Sequence, residues 1–276
     1  MPLHYGWLPV GNEEIRYLEG GEGAPIVFLH GAIGSMEIWK PVQEILSKQF
    51  FVFAFDLPGF GSSKKNNVSY TIPYFADFLY SLLERRKFSR PSIVGASMGA
   101  RIALEFAVKY PTELDRLILW APSGVSAGPW NLRGILSLFV IRELWLKWYL
   151  RPAQIKKIWK KELPLNHSSF KQIWESNPSY HDDNERSLWI RAFSRSVRSL
   201  MTYPLGNRAV NISRPTLVLS GTGDIHHSIE EAKLLQSKIP QARFEVCQGA
   251  GHFLMLERPE EFATIVANFI QQAVRT

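Results

Sequence analysis

The stretch IVGASMGARIALEF (93–106) sets Ser97 between Gly95 and Gly99, behind a short apolar run and ahead of a helical pattern. Taken alone, G-x-S-x-G is a common small-residue turn. Its surroundings make it specific. A strand that passes straight into a helix forces the central residue onto a sharp, strained turn with its side chain above the sheet. The flanking glycines give the strand and helix room to pass closely. The helix amino terminus beneath Ser97 supplies free N–H groups and a positive dipole end.

The same plan recurs on both sides of this stretch. APIVFLHG (24–31), FFVFAFDLPGFG (50–61), PSIVGAS (91–97), LDRLILWAPSG (114–124), RPTLVLSGTGD (214–224) and ARFEVCQGAGH (242–252) are apolar runs that end in turn residues. They lack clean alternation, as expected of strands buried on both faces of a parallel sheet. Helical patterns lie between them, over 71–88, 100–110, 229–239 and 259–274. This rhythm predicts an α/β fold with a mostly parallel sheet flanked by helices. Between 124 and 207 the rhythm stops. No convincing strand occurs there, and the stretch holds six of the nine tryptophans. The expectation is a helical cap over 124–207, inserted between two strands of a core made from 1–123 and 208–276.

Composition narrows the options. Of the 276 residues 46% are hydrophobic, ample for a buried core. The single cysteine, Cys247, excludes an intrachain disulfide and a cysteine metal cluster, and reads as a small buried strand residue. MPLHYGWLPV (1–10) has neither the basic start nor the apolar run of a signal peptide. No window of about 18 residues is free of charge, so no membrane span is expected. A cytoplasmic protein is the default reading. The net charge of +7 sits entirely in 124–207, where 13 Lys and Arg face 6 Asp and Glu. Such asymmetry speaks to partners and not to fold. The cations include Arg133, Arg142, Lys147, Arg151, Lys156, Lys157, Lys160 and Lys161. They fit a solvated surface or an acidic partner at the mouth of a pocket: an acyl carrier, coenzyme A or an anionic membrane surface. Nucleic acid is not expected, since no binding motif is present.

A serine hydroxyl needs a base within hydrogen-bond reach, and the base needs an orienting acid. His252 lies in QGAGHFLMLERPEEF (248–262), a glycine-rich loop between the last strand and the last helix, where parallel sheets place their sites. His30 ends a strand too, but is read as a brace for its loop. His226 and His227 adjoin an acid in a polar loop and are read as exposed. His4, His167 and His181 have no motif around them. For the acid, RLILW (116–120) is followed by Ala121, Pro122 and Ser123, which offer no carboxylate, whereas TLVLSGTG (216–223) is followed by Asp224. Asp224 precedes His252 by 28 residues, enough for one helix and one strand. Asp56 is read as holding the LPGFG turn, and Arg101 as an ion-paired or solvated helix residue. The two oxyanion donors are expected to be the backbone N–H groups of Met98, just after Ser97, and of Ala32, in HGAIGS (30–35).

HGAIGS, DLPGFGSS, GASMGA, LSGTGD and GAGHFLMLERPEEF, in this order, resemble the successive landmarks of the α/β-hydrolase superfamily. The resemblance spans essentially the whole chain. It implies Ser97 as nucleophile, His252 as base and Asp224 as acid. The implied activity is hydrolysis of a small-molecule carboxylic ester or thioester through an acyl-serine, without metal or organic cofactor. The same fold also serves cofactor-free perhydrolases, acyltransferases and non-catalytic receptors, and fold alone does not choose among them. Dehalogenases and epoxide hydrolases are set aside because they carry Asp where this chain has Ser97. Carbon–carbon bond hydrolases are set aside because they usually carry an HGxGPG-like loop. ILSLFVIRELWLKWYL (135–150) is apolar on more than one face and suggests a medium or long apolar acyl chain.

Overall fold

Strands with no polar face must be covered on both sides, and the six apolar runs solve this by lying side by side. The computed structural model describes residues 1–123, 145–163 and 168–272. In it β3 (Pro25–Leu29), β4 (Phe51–Phe55), β5 (Ser92–Ala96), β6 (Leu117–Trp120), β7 (Thr216–Gly221) and β8 (Arg243–Cys247) form parallel pairs within an eight-stranded sheet. The order is β1-β2-β4-β3-β5-β6-β7-β8. Every residue of β5, β6 and β7 is buried. Each Val, Leu or Ile sequestered this way contributes about 1.5–3 kcal/mol of transfer free energy.

A hairpin that the sequence reading did not anticipate extends one edge. Its strands are β1 (His4–Val10) and β2 (Glu13–Gly20), and β2 runs antiparallel to both β1 and β4. Gly11 and Asn12 make the connection, with Gly11 at φ +58. A two-residue Gly-Asn link between strand-forming runs is the signal that was available.

The helices cover the sheet where expected. In α2 (Ile72–Arg86), Phe75, Phe78, Leu79, Leu82 and Leu83 are buried. Thr71 caps it by accepting the Tyr74 N–H at 3.3 Å, and Lys87 in the left-handed region ends it. Following a short turn at Met36–Trp39 comes α1 (Lys40–Leu46), and α3 (Met98–Lys109) starts directly after Ser97. Among the described residues between β6 and β7 there is no strand. The helices there include α4 (Pro152–Glu162), α5 (Ser168–Ser176) and α6 (Asp183–Thr202). Residues 124–144, a large share of the expected cap and most of the apolar segment 135–150, lie outside the described residues, as do Arg133, Arg142 and His167. Beyond β7 follow α7 (Ile229–Lys238), α8 (Leu254–Glu257) and α9 (Pro259–Gln271).

A chain of aromatic contacts ties α4, α5 and α6 together. It runs Trp159–Phe170–Trp174–Tyr180–Trp189–Phe193, with ring centroids 5.0 to 6.3 Å apart. The tryptophans on it pack the helices, as expected of rings this large.

Two buried polar clusters anchor loops to this frame. Arg101 is fully buried on α3 and is ion-paired, as expected. It donates to Glu105 at 3.1 Å and to the Tyr203 carbonyl at 3.0 Å, while Arg208 binds the other Glu105 oxygen at 2.8 Å. The end of α6 is thereby fastened to α3. In the second cluster, His30 is fully buried and braces two loops. Its Nδ1 donates to the Gly31 carbonyl at 2.8 Å, and its Nε2 accepts the Leu57 N–H at 3.0 Å. Asp56 holds the neighbouring turn by accepting the Met36 and Ser62 N–H groups, both at 2.8 Å.

Glu105→Ala leaves a buried guanidinium without its counter-ion, and should cost about 3–5 kcal/mol in urea unfolding. Equal midpoints for variant and wild type would contradict this. Burial also drives the His30 pKa from 6.5 down to about 4. The unfolded chain therefore binds this proton more readily than the folded one. His30 stability is complete above pH 6.5 and is lost as the pH falls toward 4. Between pH 7 and 5 this histidine alone should remove about 2 kcal/mol, and His30→Asn should flatten the slope accordingly.

Candidate active site

Strand order reverses between β3 and β5: β4 steps out on one side of β3, and β5 begins on the other. Open α/β sheets leave a crevice at such a point, beyond the carboxyl ends of the strands. Ser97 sits there. Its backbone is at φ +53 and ψ −115, a conformation rarely adopted by a non-glycine residue. The glycines around it are steric requirements. A Cβ on Gly99 would come within 2.2 Å of the Leu29 carbonyl oxygen, and one on Gly95 within 2.6 Å of the Ala100 nitrogen. A Cβ on Gly31 would stand 3.3 Å from that of Ser97.

The loops after β7 and β8 bring Asp224 and His252 together. They are joined by the Gly223 N–H on the Ala250 carbonyl at 2.9 Å and the Gly249 N–H on Thr222 Oγ1 at 2.7 Å. His252 Nδ1 donates to Asp224 Oδ2 at 2.8 Å. Trp120 Nε1 fixes the His252 carbonyl at 2.7 Å. The Asp224 side chain is fully buried, which by itself would raise its pKa. The His252 hydrogen bond and charge, with the His226 N–H and His227, hold it below the usual carboxylate range. Asp224 is thus ionised at neutral pH and fixes the His252 tautomer, leaving Nε2 as the acceptor.

Ser97 Oγ lies in the same cavity as His252 but is not hydrogen-bonded to it. It meets Ser123 Oγ at 3.0 Å and His227 Nε2 at 3.4 Å. Neither partner was singled out from the sequence. His226 is exposed as expected; His227 is not. Asp224 Oδ1 accepts the N–H of both residues, at 2.8 and 3.1 Å, and this turn carries the His227 ring inward. Aspartate followed by histidine three residues on was the available signal. Ser123 stands just past β6, beside β5, where the sequence shows no carboxylate and no motif that marks a serine.

The cavity has a volume of about 340 Å³. Its walls are largely apolar, with Ile33, Ile158, Trp159, Phe193, Leu200 and Phe253 among them. Trp159 stacks on Phe253, next to His252, at 4.6 Å. Ala32 and Met98 line the cavity with Ser97. The Met98 N–H opens α3 and so precedes any intrahelical acceptor. The cavity thus brings together a serine hydroxyl, a histidine oriented by a carboxylate, and the backbone of Ala32 and Met98. No group of His, Cys, Asp or Glu among the described residues is arranged to hold a metal ion. No helix among them is long and apolar enough to cross a membrane.

Known proteins resemble this chain along most of its length. The chain is 27% identical to the 2-hydroxy-6-oxo-6-(2'-aminophenyl)hexa-2,4-dienoic acid hydrolase of Metapseudomonas resinovorans, over 95% of this chain and 89% of that one. It is 24% identical to a poly(3-hydroxyalkanoate) depolymerase of Ectopseudomonas oleovorans, over 90% and 84%. A solved structure of a thermophilic esterase from Thermogutta terrifontis superposes with a TM-score of 0.80 at 23% identity, covering 97% of this chain and 98% of that one, a likeness of fold. The sequence profile of the alpha/beta hydrolase fold matches residues 24–259. With that match spanning most of its length, the chain belongs to the α/β-hydrolase family.

Proposed function

We propose that this hydrolase is a serine enzyme that cleaves a carboxylic ester or thioester through an acyl-serine intermediate. The observation that carries the reading is the Asp224–His252 pair, bonded at 2.8 Å, in one apolar cavity with Ser97 on its strained turn. Substrate draws Ser97 Oγ from its resting partners toward His252, since catalytic hydrogen bonds often tighten only in the complex. His252 Nε2 takes the hydroxyl proton as Oγ attacks the carbonyl carbon, and Asp224 stabilises the imidazolium. The Met98 and Ala32 N–H groups receive the developing oxyanion. His252 then protonates the leaving oxygen or sulfur. Water, deprotonated by His252, releases the acid in the second half-reaction.

The apolar walls support an apolar acyl group. Burying each methylene there contributes about 0.8 kcal/mol. Residues 124–207 are proposed as the cap, with α4 and α6 lending it Ile158, Trp159, Phe193 and Leu200 in the cavity wall. The cations of this stretch are proposed to steer an acidic carrier, coenzyme A or a membrane-bound substrate. Trp145 and Trp148 are exposed beside Lys147 and Arg151, which suits an interfacial surface. A second reading follows from the M. resinovorans relative, whose oxo-dienoic acid carries a ketone and no ester. It reopens the carbon–carbon branch, with the same Ser97 attacking a ketone carbonyl.

Ser97→Ala should lower kcat on nitrophenyl esters by about 10³-fold or more with the fold intact by circular dichroism. A serine-reactive phosphonate should label Ser97 alone; near-native esterase activity in the variant would refute the nucleophile. Octanoyl esters should surpass acetyl esters in kcat/KM by about tenfold or more. Equal rates would refute the apolar acyl site. If the basic surface steers, rising salt should slow an acyl-CoA more than a neutral ester, because charges are screened over about 10 Å at 0.1 M. An equal response would mark it as solvated surface only.

A further inference from the structure

Two polar side chains beside Ser97 in the cavity have no part in the chemistry just described. Ser123 Oγ and His227 Nε2 lie 3.0 and 3.4 Å from Ser97 Oγ and 3.3 Å from each other. We propose that Ser123 and His227 form a polar subsite for a neutral hydroxyl on the substrate, carried one or two carbons from the scissile carbonyl. The proposal rests on the ester reading and narrows it to hydroxyacyl substrates with an apolar tail.

Three observations carry it. The first is placement. The cavity wall is mostly apolar, and its polar side chains gather at the end that holds Ser97, Ser123, His227 and His252. The acyl carbonyl carbon ends up bonded to Ser97 Oγ. An oxygen on the next carbon or the one after falls within reach of atoms 3.0 and 3.4 Å from that point. The apolar remainder of the chain extends toward Ile158, Phe193 and Leu200.

The second is hydrogen-bond accounting. In the resting site Ser97 Oγ satisfies both groups. Once Ser97 turns to His252 and is acylated, Ser123 and His227 keep only each other among the described residues. A serine hydroxyl has one donor and two acceptor sites. Leaving such capacity unused in an apolar cavity is unfavourable. A substrate hydroxyl, both donor and acceptor, replaces what Ser97 withdraws.

The third is charge. The groups facing His227 are His252, His226 and Asp224. Burial lowers its pKa from 6.5 to about 4, assisted by the two histidines and opposed by Asp224. The imidazole is therefore neutral during turnover, when a positive His252 forms beside it at a ring separation of 5.1 Å. A neutral imidazole and a hydroxyl, with ionised Asp224 close by, discriminate against a carboxylate and favour an uncharged oxygen.

The test compares nitrophenyl esters of equal chain length: unsubstituted, 2-hydroxyacyl and 3-hydroxyacyl. The wild type should favour one hydroxyacyl ester over the unsubstituted ester by about tenfold or more in kcat/KM. The ratio should fall toward one in Ser123→Ala and in His227→Phe, and His227→Asn should restore part of it. Ser123→Ala removes a single oxygen and keeps the measurement available if the larger substitution fails to fold. Because the readout is a ratio within each protein, a general loss of activity does not imitate the effect. Equal rates on all esters in the wild type overturn the subsite and leave the ester reading standing. So does a preference that survives Ser123→Ala and His227→Phe. Hydrolysis of none of the esters overturns the ester reading and the subsite with it.

Discussion

Everything at the crevice depends on one close approach: β5, α3 and the loop after β3 meet with almost no side-chain volume between them. Gly99 lies against the Leu29 carbonyl, Gly95 against the start of α3, and Gly31 against Ser97. Only that contact lets the chain turn from strand to helix through φ +53 at a serine. A residue held so costs about 1–3 kcal/mol, and it persists because the flanking elements over-determine it. Here they do so heavily, since every residue of β5 is buried and α3 is buried from Met98 through Ala107. The strain puts a hydroxyl and a free helix N–H at the same point in space.

Legibility in the sequence followed burial. The parallel strands β3 to β7 were readable because two covered faces leave a nearly uninterrupted apolar run, while β8, half-buried at the edge, was readable mainly from the turn that follows it. The β1–β2 hairpin was not, because its outer strand is largely exposed and its composition is mixed. Its evidence was turn chemistry, which occupies two residues. The three residues proposed for proton transfer were legible as residues at strand ends: Ser97 after β5, Asp224 after β7 and His252 after β8. Ser123 and His227 were missed for different reasons. Ser123 lies at a strand end that carries no carboxylate, and a lone serine there gives no signal of its own. His227 was read through the polarity of IHHS (225–228), whereas its position follows from two backbone N–H groups gathered by Asp224.

One residue type takes four positions here, separated by environment. His30, fully buried with both ring nitrogens engaged, is a structural spacer between two loops. His252 has one nitrogen committed to a carboxylate and the other facing the cavity. His227 is enclosed near other histidines and stays neutral, and His226, its neighbour in sequence, is exposed. Asp224 links the last three. One of its oxygens orients His252, while the other shapes the turn that decides which neighbouring histidine enters the cavity. A substitution at 224 therefore disturbs two functions at once, and its kinetic effect is not a measure of proton-transfer support alone.

The aromatic chain across α4, α5 and α6 ends on Phe253, the residue that follows His252. The wall of the cavity and the backbone of the proposed base are consequently one mechanical unit. Any displacement of Trp159 would act on the Trp159–Phe253 stack and, through one peptide bond, on the imidazole. Under the proposed reading, affinity and turnover would be coupled through this stack. Enlarging the cavity at Trp159 would also loosen the stack behind His252, whereas Leu200, which lines the cavity from α6 and is not a ring of the aromatic chain, can change without acting on the histidine through that stack.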